Sequence, residues 1–151
     1  MPDDENLLAE QTGQAMYRSD AASQGLGMRL VHVGPGRASM EMLVRPDMLN
    51  GHQTCHGGFI FTLADSTFAF ACNSRNQATV ASGCTIDFLA PGRVGDVLTA
   101  HCEEQSLSGR TGVYDVIVTN QHGHRVALFR GRSYRIRGQV IPVPGEDEGG
   151  A

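Results

Sequence analysis

A chain of 151 residues that is 40% hydrophobic has the size and the apolar material for one domain built on one core. Its formal net charge of −4, with arginines scattered through the C-terminal half and no polybasic run, excludes a nucleic-acid surface while leaving room for a small anionic ligand. No apolar run reaches the roughly 18 residues a bilayer span requires, and the N-terminus MPDDENLLAE is acidic where a secretory leader is basic, so the expected setting is cytoplasmic, with no membrane partner.

In chain order, Leu7, Leu8, Gln11, Ala15 and Met16 recur at helical spacing and predict a helix over residues 5–19, with Gly25 and Gly27 ending it. "GMRLVHV", a turn at Gly34-Pro35-Gly36, and "RASMEMLV" predict a β-hairpin, which Pro46 stops. Over residues 57–73, Phe59, Ile60, Leu63, Ala64, Phe68 and Ala71 again follow helical spacing, while Phe61 and Phe70 carry the apolar surface round most of the circumference. Such a helix must be enclosed by protein. Segments 79–89, 97–105, 112–121 and 125–137 are rich in Val, Ile, Thr, Phe and Tyr and are separated by the turn signals "APGRVGD", "LSGRTG" and "HGH", which predicts sequential antiparallel strands. The acidic, Pro/Gly-rich end "PVPGEDEGGA" reads as disordered. The expected organisation is an N-terminal helix with a flexible start over 1–25, a domain over 26–138 and a tail over 139–151. The fold class is α+β: a curved antiparallel sheet of five to six strands wrapped around one long central helix. Cys55, Cys72, Cys84 and Cys102 are irregularly spaced and read as reduced core residues.

The chemistry concentrates on the second helix. Asp65 is the only Asp, Glu, Lys or Arg between Met48 and Ser74, and Thr62, Ser66, Ala69 and Asn73 fall on its side as a strip of small residues. Two readings follow: a structural carboxylate satisfied by backbone and hydroxyl donors, or a carboxylate made more basic by desolvation for catalysis. His56-Gly57-Gly58 leads into the same helix, and glycines there expose the first backbone N–H groups, which with the helix dipole can receive a developing oxyanion. Gly57 and Asp65 are eight positions apart, about 12 Å along a helix at roughly 1.5 Å per residue, whereas groups acting on one carbonyl lie within about 3 to 3.5 Å of the reacting atoms. Two copies of the helix, antiparallel about a two-fold axis, bring Gly57 of one chain beside Asp65 of the other. The expectation is an obligate dimer with two composite sites.

Other chemistries find less support. The run His52-Gln-Thr-Cys55-His56 lacks paired ligand spacing, so no metal is expected. The chain contains no G-x-S-x-G, no G-x-G-x-x-G and no G-x-x-x-x-G-K-[ST].

The stretch from Asn50 to Gly58, NGHQTCHGG, followed by "FTLADSTFAFACN" and "VASGCTIDFLAPGRVGD", resembles the PaaI-type (phenylacetic acid degradation) acyl-CoA thioesterases of the hotdog-fold superfamily over about residues 26–137. The resemblance implies a hotdog fold, self-association as a homodimer or dimer-of-dimers homotetramer, and hydrolysis of aromatic or medium-chain acyl-CoA. It further implies that the Gly57 N–H polarises the thioester carbonyl, that Asp65 of the facing subunit acts as nucleophile or as general base for water, and that Asn50 orients the thioester or the water. His56 reads as positioning the loop rather than transferring protons. Ser82, counted on the strand side of Val80, Cys84, Ile86 and Phe88, reads either as a core serine or as a hydroxyl near the attacking water. Coenzyme A, part of the substrate and not a cofactor, brings phosphates, for which Arg110 and Thr111 in "SGRTG" and Arg130 and Arg132 in "FRGRSYR" are the candidates. A hotdog enoyl-CoA hydratase or dehydratase would need a histidine on or beside the buried helix, whose interior offers none. A non-catalytic acyl-CoA binding module would not need Asp65.

Overall fold

The computed structural model describes residues 2–142. Its centre is α3 (Gly57–Cys72), which carries no charged residue besides Asp65 and buries Ile60, Leu63, Ala64, Phe68 and Ala71. Six strands supply the surface it needs: β1 (Arg29–Gly34), β2 (Arg37–Leu43), β3 (Thr79–Phe88), β4 (Val97–Ser108), β5 (Thr111–Thr119) and β6 (Arg125–Arg135). They form one antiparallel sheet in the order β1-β2-β4-β5-β6-β3. The α+β architecture is the one expected, with six strands.

Alternation decides which side faces the helix. Along β5, Gly112, Tyr114, Val116 and Val118 are buried while the residues between them are half-buried. On β6 the inward set includes Phe129, Gly131 and Ser133. A side chain at Gly131 would sit 2.7 Å from the Phe68 ring, so the missing Cβ is what lets α3 approach the sheet. The order of elements also matters for function. Because α3 lies between β2 and β3 in the chain, β3 is laid down at the far edge of the sheet, beside β6, and its other edge is unpaired.

The N-terminal segment differs from expectation. The predicted single helix is two: α1 (Pro2–Ser19) and the short α2 (Ala21–Gly25). Asp20 separates them, since its carboxylate accepts from the Ser23 N–H at 3.0 Å and from the Ser23 hydroxyl at 2.6 Å, restarting the helix before the glycines that were expected to end it.

The segment expected to begin a disordered tail is also held. Buried Asn76 accepts from the Val140 and Ile141 N–H groups at 2.9 and 2.8 Å and donates to the Ile141 carbonyl at 2.9 Å. Residues 143–151 of that predicted tail lie outside the described residues. All four cysteines are free, Cys55 and Cys102 buried and Cys72 and Cys84 half-buried. No helix among the described residues is long and apolar enough to cross a membrane.

The contact at Gly131 is testable. Gly131→Ala forces a methyl group into the Phe68 ring and should lower stability by about 1–3 kcal/mol in a denaturant titration, the usual range for overpacking a tight core.

Candidate active site

The start of α3 is held by its own first residues. The His56 N–H donates to the Met48 carbonyl at 2.8 Å, and its side chain caps the helix, Nδ1 accepting from the Gly58 N–H at 3.1 Å. The Phe59 N–H donates to the His56 carbonyl at 3.0 Å. Of the first three helical N–H groups, that of Gly57 alone meets no acceptor among the described residues. It opens on a cleft of about 390 Å³ that Asn50, Ile60 and Phe88 help to line. With the helix dipole behind it, this amide is a ready donor to an oxygen gaining negative charge.

Asn50 faces the same cleft but serves its loop first. Its Oδ1 accepts from the His52 and Thr54 N–H groups at 2.9 and 3.2 Å, and its Nδ2 donates to the Thr54 hydroxyl at 3.0 Å. One Nδ2 hydrogen is left over for a ligand.

Asp65 is half-buried, and burial pushes its pKa above the ordinary carboxylate value. The hydroxyls that could have satisfied it are committed elsewhere. Thr62 donates to the Gly58 carbonyl at 2.8 Å, Ser66 pairs with Ser23 of α2 at 2.8 Å, and Asn73 spans from the Ala69 carbonyl to the start of β3. No donor to Asp65 occurs among the described residues, so the reading of a structural carboxylate finds no partners. Its electrostatic neighbours are the thiols of Cys72 and Cys84, whose own ionisation it opposes. Gly57 and Asp65 lie eight positions apart on one unbroken helix, about 12 Å at a rise of roughly 1.5 Å per residue, so one chain does not bring them to the same carbonyl.

A family model for the thioesterase superfamily matches residues 52–127. The chain belongs to the thioesterase superfamily. It is 51% identical to the acyl-coenzyme A thioesterase PaaI of Escherichia coli (strain K12) over 132 residues, covering 87% of this chain and 94% of that one. The structure of the E. coli PaaI protein from the phenylacetic acid degradation operon is similar to it with a TM-score of 0.88 at 50% identity, covering 89% of this chain and 97% of that one. A hypothetical thioesterase from Streptococcus pneumoniae TIGR4, solved with coenzyme A, is similar with a TM-score of 0.71 at 26% identity over 78% of this chain and 98% of that one.

Other expected residues of this thioesterase-superfamily chain fall in different places. Ser82 is exposed, at a point where the register of β3 shifts. Ala81 pairs with Ser133 and Gly83 with Arg132, so Ser82 is the extra residue of a β-bulge, and its hydroxyl donates to the Arg132 carbonyl at 3.2 Å. Beyond this shift Cys84 and Ile86 pack against the core as simple alternation expects, whereas Val80, Ala81 and Ser82 before it are all exposed.

The phosphate candidates separate in the same way. Arg132 and Arg130 alternate with the inward residues and stand on the outer face, Arg130 bonded to both Asp115 carboxylate oxygens at 2.6 and 2.9 Å. The Thr111 hydroxyl closes its turn on the Ser108 carbonyl at 3.0 Å. Arg110, by contrast, lines a cleft of about 530 Å³ with Arg75, Arg135 and Arg137, and no carboxylate lines it. Sequence reasoning missed these three partners. Arg75 follows the C-terminus of α3, whereas Arg135 ends β6 and Arg137 follows it, and only the sheet brings them to one place.

The burial of Asp65 has a sign. A carboxyl whose folded pKa is raised contributes stability below its ordinary value of 3.8 and loses it as pH rises through the folded value. Asp65→Asn should therefore unfold at higher denaturant concentration than the wild type at pH 7, and the difference should close as pH falls below the ordinary carboxylate range.

Proposed function

We propose that the protein is an acyl-CoA thioesterase converting R–CO–S–CoA and water to R–COOH and CoA–SH. One observation carries this reading: a single helix with no other charged residue holds both an N–H without an acceptor, at Gly57, and a desolvated carboxylate without a donor, at Asp65. Hydrolysis of a thioester needs that pair. The Gly57 N–H supports the oxygen of the tetrahedral intermediate, and Asp65 supplies the nucleophile, either by attacking the carbonyl itself or by taking a proton from the attacking water. Collapse of the intermediate expels the coenzyme A thiolate, which takes up a proton; where Asp65 itself attacked, water then cleaves the acyl–Asp65 anhydride to release R–COOH and restore the carboxylate. The free Nδ2 hydrogen of Asn50 orients the carbonyl or the water. His56, whose Nδ1 is engaged with Gly58, holds the loop.

The site is completed by a second copy. Around Asp65, the α3 positions Thr62, Ala69 and Cys72 are half-buried and Gly58 is exposed, an open strip on an otherwise apolar helix. Beside it β3 offers an unpaired edge with Val80 45% exposed. A two-fold partner that runs its α3 antiparallel covers the strip and brings its Asp65 to Gly57. A dimer of such dimers is the assembly in this reading.

The acyl group, aromatic or of medium chain length, enters the cleft at Gly57, which Ile60, Phe88, Leu89 and Pro91 make apolar. The coenzyme A phosphates are met by Arg110 with Arg75, Arg135 and Arg137. The four free thiols support a cytoplasmic setting, and the reaction as written uses neither metal nor cofactor.

Purified protein assayed against a panel of acyl-CoAs with a free-thiol reagent should release thiol; silence across aryl and medium-chain substrates rejects the reading. Asp65→Asn should keep its fold and lose at least roughly two orders of magnitude in turnover. Mixing inactive Asp65→Asn with inactive Gly57→Val probes the composite site: each mixed dimer regains one intact site, so about a quarter of wild-type activity should return at equal proportions. No recovery after verified subunit exchange places both groups in one chain. Arg110→Ala and Arg135→Ala should raise KM with little change in kcat, and the wild-type KM should rise with salt.

A further inference from the structure

Position 57 has no backbone need for glycine. It opens an α-helix and is absent from the residues with positive φ, so any L-residue could take its conformation. What forbids a side chain is a neighbour. A Cβ on Gly57 would lie 2.9, 3.2 and 3.4 Å from Cζ, Cε1 and Cε2 of Phe88, and these ring atoms are its three nearest contacts.

Phe88 is the last residue of β3, where it pairs with Ala127, and the chain beyond it is fixed by the Leu89 and Ala90 N–H groups, which both donate to the Val126 carbonyl, at 2.8 and 3.3 Å. The residue is nevertheless 52% exposed and lines the cleft shared by Asn50, Gly57 and Ile60. A large aromatic residue left half in solvent, against the one N–H of α3's first three that has no acceptor among the described residues, is poorly used as core packing.

We propose that Phe88 is a positioning residue for the acyl carbonyl at Gly57: its ring walls one side of the amide, so that the carbonyl arrives from the Asn50 side and water is kept off the donor. The proposal rests on the thioesterase reading above. A dry, one-sided approach strengthens the hydrogen bond to the oxyanion and fixes the angle of attack, so its loss falls on kcat rather than on binding, which the coenzyme A moiety anchors at a distance.

The test combines Phe88→Ala, Phe88→Tyr, Gly57→Ala and the Gly57→Ala/Phe88→Ala double variant, each checked by light scattering and thermal unfolding. Phe88→Ala should keep the wild-type mass and KM within about twofold while kcat falls roughly tenfold, and Phe88→Tyr, which keeps the ring, should recover most of that loss. Gly57→Ala should lower both the melting temperature and kcat when Phe88 is present, and much less so when it is Ala. Unchanged kcat in Phe88→Ala overturns the proposal, as does dissociation of that variant into monomers, or an equal cost of Gly57→Ala in both backgrounds. A wild-type protein that turns over no acyl-CoA rejects the thioesterase reading itself and takes the proposal with it, an outcome distinct from an active wild type matched by Phe88→Ala.

Discussion

The packing of a nearly charge-free helix against the inner face of one antiparallel sheet is the contact on which everything else in this protein depends. α3 has almost no face of its own to offer water, and β2, β4 and β5 present Met40, Met42, Ala100, Cys102, Tyr114 and Val116 to receive it. The fit is close enough that Gly131 must lack a side chain where Phe68 crosses β6. With this helix fixed, its N-terminal amides and its one carboxylate are fixed too, because both are parts of the same rigid rod.

That rigidity places the two reactive groups in different environments. At the helix start the backbone is stripped to glycine and left with an N–H in need of an acceptor, whereas eight residues on, a carboxylate sits among thiols and small residues with its nearby hydroxyls already spent on other partners. Each group is poised by what it lacks. Satisfying both within one chain would require bending the helix; presenting both to one substrate across a two-fold axis requires only a second copy.

Charge is distributed to match. The chain as a whole is acidic, at −4, yet Arg75, Arg110, Arg135 and Arg137 gather in one cleft beyond the C-terminal end of α3 without a carboxylate among its lining residues. Arg75 is already paired with the Glu104 carboxylate at 2.6 Å, while Arg110, Arg135 and Arg137 have no carboxylate partner among the described residues.

The sequence by itself determined the α+β class, with a sheet of five to six antiparallel strands around one long helix, and it singled out Gly57 and Asp65 as candidates, because period, turn residues and an isolated charge in an apolar run are local signals. Tertiary structure decided the rest. The register of β3 shifts between Ala81 and Gly83, leaving Ser82 exposed with its hydroxyl on the Arg132 carbonyl, and that shift is set by hydrogen bonds to β6, whose residues lie about fifty positions away. The split of the N-terminal helix at Asp20 was local and readable, but the attachment of Val140 and Ile141 to Asn76 was not, since a polar side chain finds such partners only after the fold has brought them together. The arginine cleft and the ring of Phe88 over Gly57 belong to the same class: each joins residues that are distant in the chain, and contact across that distance is written in the topology rather than in any one segment.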